Sequence, residues 1–80
     1  MKIPEIEKKD LPALFGKKYQ IIKIEEDEVL IRELQDETPR NDDRLLTVKI
    51  SEIYKKLGLI KKEFSMGDII DDTEIKKWLL

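Results

Sequence analysis

The stretch YQIIKIEEDEVLIREL, Tyr19–Leu34, decides how the rest of the chain is read. Ile22 and Ile24 on one side, and Val29 and Ile31 on the other, alternate with charged residues around the central EEDE. Period-two alternation of β-branched residues across a short polar turn predicts an antiparallel hairpin with one buried face, Tyr19–Glu25 paired with Glu28–Leu34. The adjacent Ile21 and Ile22 break the alternation, which implies either a β-bulge or a strand covered on both faces. Residues 35–44, QDETPRNDDR, hold many turn-favouring residues and almost nothing apolar, and predict a mobile loop. LLTVKIS, 45–51, alternates again and supplies a third strand, so that a meander spans about 19–51.

A three-stranded sheet needs a cover. On the N-terminal side, Asp10 can cap a short helix that opens near Pro12, is packed by Leu14 and Phe15, and stops at Gly16. On the C-terminal side, Ser51 is a candidate N-cap for EIYKKLG, with Ile53, Tyr54 and Leu57 as its apolar side and Gly58 as a left-handed stop. Residues 59–67 fit a second short helix or a strand. Asp71 with Glu74 three residues on has capping-box spacing, which places Ile75, Trp78 and Leu79 on one side of a last helix. The expected architecture is a single α+β domain over 1–80: a three-stranded antiparallel meander, a short N-terminal helix, and two or three C-terminal helices packed on one face.

Composition narrows the chemistry. Of 80 residues, 40% are hydrophobic and 42% charged, which is enough to fold, with a surface far richer in ions than the roughly 25% of an ordinary domain. Lys and Glu supply most of the charge and isoleucine is abundant, the lean of a thermophilic archaeal or bacterial protein. There is neither cysteine nor histidine, so the commonest nucleophile, general base and metal ligands are missing. Only three glycines occur, in neither a phosphate-loop nor a dinucleotide-binding pattern. Asp68, Asp71 and Asp72 could face one cation on a helix, but acids at a helix start also serve its dipole. No apolar run approaches the ~20 residues of a membrane span and no secretory segment follows Met1, so the expectation is a cytoplasmic, non-catalytic chain with no cofactor, metal or small-molecule substrate.

Three features point toward binding. The tail DTEIKKWL, Asp72–Leu79, resembles the peptide by which replication and repair proteins dock on a sliding clamp. Ile75, Trp78 and Leu79 hold the three hydrophobic positions of that peptide, and Asp72 stands in place of its glutamine. The same spacing suits a helix that buries its tryptophan in the chain's own core. KISEIYKKLGLIKKEF, Lys49–Phe64, resembles a helix-turn-helix core, which implies contacts to nucleic acid from Lys61 and Lys62, with Lys55 and Lys56 on the preceding helix. Residues 19–36 carry six acids against two bases, so that Glu25, Glu26, Asp27, Glu28, Glu33 and Asp36 form a candidate acidic mimic of a basic protein's ligand. Together these imply an interaction module whose partner is another protein, with a sliding clamp or polymerase as the type. The setting expected is a small accessory or regulatory subunit of a DNA replication or transcription assembly. The alternatives are a DNA-binding regulator and an acidic inhibitor.

Overall fold

A computed structural model describes residues 3–35 and 43–79. It shows a small α+β domain with one mixed sheet of five strands, ordered β1-β4-β3-β2-β5. The central meander is as the alternation predicts: β2 (Lys18–Ile24), β3 (Glu28–Leu34) and β4 (Leu45–Lys49) pair antiparallel. Of the residues 35–44 expected to be a mobile loop, 36–42 lie outside the described residues. The sheet is wider than expected. β1 (Glu5–Ile6) adds to β4 in parallel, and β5 (Ile69–Asp71) adds to the far side of β2. Both additions are two or three residues long, too short for any periodicity to show, and each pairs with a strand distant in sequence.

The Ile21–Ile22 irregularity is a bulge, since the β2–β3 register slips between Ile21 and Lys23. The extra residue restores Ile24 to the inner side opposite Val29, and without it the remaining apolar residues of β2 would face outward. Ile6, Tyr19, Ile21, Val29, Ile31, Leu46, Val48 and Ile70 make the buried face.

That face is covered by a 3₁₀ segment (Lys8–Leu14), α1 (Glu52–Leu57), α2 (Leu59–Glu63) and α3 (Asp72–Leu79). The N-terminal helix begins two residues before Asp10. Asp10 sits in its first turn, and the Glu7 amide donates to its Oδ2 at 2.9 Å. Leu14 packs inward as expected, whereas Phe15 is 84% exposed, because the helix ends there and the backbone enters a turn with Gly16. α1 and α2 are separated by Gly58 in the left-handed region (φ 61°), a conformation that costs a side-chain-bearing residue. α2 settles 59–63 as helix and delivers Ile60 and Phe64 to the core.

Tyr19 lies at the heart of this packing, fully buried, and its hydroxyl has no hydrogen-bond partner among the described residues. Burial, then the nearby Glu33 and Asp72 carboxylates, push its pKa up to about 12. The folded chain therefore holds that proton more tightly than the unfolded chain does. Stability from this source is complete below pH 10 and declines as the pH rises from about 10 toward 12. Tyr19→Phe removes an unsatisfied polar atom at almost constant shape. It is expected to leave stability at pH 7 unchanged or raise it by about 1 kcal/mol, and to flatten the alkaline decline, as measured by thermal melts from pH 7 to 11. A clear destabilisation at pH 7 would show that the hydroxyl is bonded in solution.

Candidate functional site

The tail was a candidate plug for a partner, and the fold uses it internally. Asp71 Oδ1 accepts from the amides of Thr73 and Glu74, which fixes the start of α3. One turn further, Ile75 and Trp78 are fully buried, and Leu79 packs half-buried against them. Trp78 meets Phe64 edge to face at 5.5 Å, and the carbonyl oxygen of Trp78 accepts from the Ser51 amide at 2.8 Å, tying the end of α3 to the start of α1. Ile75 and Trp78 are thus unavailable as docking side chains in the folded chain. The physical reason is that a sheet with one apolar face needs its largest side chain as a lid.

The helix-turn-helix resemblance extends through the turn and stops there. α2 has five residues, little more than one turn, and its Ile60 and the following Phe64 point into the core. Lys55, Lys56, Lys61 and Lys62 are all exposed. Lys55, Lys56 and Lys61 surround a groove of about 430 Å³ whose floor includes Ile24, Ile50, Tyr54 and Ile60 and whose border also carries Glu25, Glu26 and Glu52. Basic and acidic residues that the sequence separates by thirty positions therefore share one opening, instead of forming a continuous basic face.

The acidic set disperses as well. Glu25, Glu26 and Asp27 are exposed at the hairpin turn. Glu28 and Glu33 have opposite parity on β3, so that Glu28 sits across from Lys49 on the outer face, while Glu33 sits beside Tyr19 on the inner side and binds Lys17 at 2.8 Å. Asp36 lies outside the described residues. Asp68 and Asp71 are occupied as local acceptors, Asp68 from the Ser65 amide, and among the described residues no three acids are placed to share a metal ion. No helix among the described residues is long and apolar enough to cross a membrane.

What sequence reasoning missed is where apolar residues face out. On α1, Ile53 and Leu57, one turn apart, are 64% and 56% exposed, and only Tyr54 leans on the core. The i, i+4 spacing was visible, but its direction was not, because Ile60 and Phe64 take the inward places. Met66 and Ile69, at the approach to β5, are 70% and 52% exposed. Compared with protein-family models, curated proteins and solved structures, the chain matches none.

Proposed function

We propose that this protein is a non-catalytic interaction module that binds another protein through outward apolar side chains. One observation carries the proposal: α1 buries none of its six residues and presents Ile53 and Leu57 to solvent as a one-turn apolar pair among charged neighbours. Helical anchors at this spacing are a common way for one protein to seat on another. In a chain this small, where the core is short of apolar material, two large aliphatic residues turned outward on one helix favour contact over packing. With the tryptophan tail in the core and α2 barely a turn long, the proposal stops at the module and names no machine.

The test is a paired substitution. Ile53→Ser with Leu57→Ser should leave the melting temperature within a few degrees, since surface changes are usually worth about 0.5 kcal/mol or less. The same variant should lose a partner that the unaltered chain retains from the native cell and rebinds when both are purified. A partner that rebinds both forms with equal affinity, or no partner for either, would defeat the reading.

A further inference from the structure

We infer that the outer edge of β5 is a strand-addition site for an extended segment of a partner protein, one that alternates apolar with basic residues. The backbone pattern makes the edge. Opposite Ile21, the Ile21 amide donates to the Asp68 carbonyl oxygen and the Gly67 amide donates to the Ile21 carbonyl oxygen. Two residues along, Tyr19 faces Ile70, so the alternation of an antiparallel ladder turns the polar backbone groups of Ile70 toward β2 and leaves the amide and carbonyl of Ile69 and the amide of Asp71 directed away from the sheet, the Asp71 carbonyl serving the first turn of α3. Among the described residues no strand pairs with that side. Of the two edge strands, β5 has the larger hollow beside it, about 500 Å³ against about 160 Å³ at β1, lined by Leu34, Phe64, Ile69 and Ile70 together with Lys18, Asp71 and Glu74.

An added strand gains main-chain hydrogen bonds from the edge and selects side chains through pockets at alternate positions. The hollow accepts an apolar side chain. The stretch 68–74 carries four acids and no base, and Lys18 is the single base on the hollow's lining, so the net acidic charge favours lysine or arginine at the intervening positions. The same charge disfavours a second copy of this chain, because antiparallel pairing about Ile70 would set Asp68 of each copy directly against Asp72 of the other. This surface is separate from Ile53 and Leu57, so the two proposals stand or fall independently.

The probe is a capped hexapeptide of alternating lysine and valine, titrated into the full chain and followed by amide chemical shifts. Shifts are expected at Ile69, Asp71, Phe64 and Glu74, and not on α1. N-methylation of alternate peptide amides, which removes strand donors, should weaken binding about tenfold or more, and replacing lysine by glutamate should do the same. Ile69→Pro deletes only an outward amide and should block addition while sparing the β2 ladder. Glu74→Lys, an independent charge reversal, should weaken the lysine peptide and strengthen the glutamate one. No shift with up to about 1 mM peptide, equal affinity of the N-methylated form, shifts elsewhere, or self-pairing of the chain through β5 would each overturn the inference.

Discussion

Trp78→Ala is expected to remove a large share of the chain's stability. The indole is completely buried, packs on Phe64, and closes the sheet face beside Ile75 and Tyr19. Truncating a buried tryptophan costs about 3–5 kcal/mol, because the transfer energy of the ring is lost and a cavity remains. A domain of 80 residues has on the order of 4–12 kcal/mol in all. Urea titration should therefore show a much lower midpoint, equivalent to about 3–5 kcal/mol of lost stability at an unchanged slope. The unaltered chain has a single tryptophan, so its emission should be blue-shifted and protected from quenchers when folded and red-shifted on unfolding. A Trp78→Ala variant that melts within about 1 kcal/mol of the parent would show that the residue is held outside the core after all.

The second large effect is a contrast between neighbours. Ile31 lies in the buried row Ile21–Ile31–Leu46, at the centre of the meander. Leu30, next in the chain, belongs to the opposite face of the sheet, across from Lys23 and Thr47, and is only half-buried. Ile31→Ala is expected to cost about 2–5 kcal/mol, and Leu30→Ala about 1 kcal/mol or less. Equal costs, read from chemical denaturation with unchanged slopes, would mean that the sheet is covered on both faces and that the register beyond the bulge is wrong.

These two residues also show what was legible in the sequence. The hairpin and third strand could be read because alternation over five to seven residues is a local signal, and the bulge was one of the two readings that the doubled isoleucine offered. β1 and β5 could not be read, since two or three residues carry no period and their pairing is decided by chain segments far away. The tail was legible only as an alternative. The spacing of Ile75, Trp78 and Leu79 is the same for a core helix and for a docking helix, and only the presence of an open sheet face decides between them. The direction of α1 was hidden for the opposite reason. Two apolar sets, Ile53 with Leu57 and Ile60 with Phe64, competed for one place, and the second pair took it. The dispersal of the acids on β3 followed from parity, which the sequence did contain, and the groove shared by Glu25 and Lys55 did not.

The wide separation of paired strands sets the order in which the molecule assembles. β2 meets β3 across a turn of three residues, 25–27, whereas β2 meets β5 only after some fifty intervening residues, and β1 meets β4 after some forty. Contacts between distant segments carry the larger chain-closure entropy and are rewarded late. The meander is thus the expected nucleus, with both flanking strands joining on the downhill side of the barrier. Amide exchange should accordingly be slowest in β3 and fastest at Glu5–Ile6 and Ile69–Asp71, the segments that can detach while the centre holds.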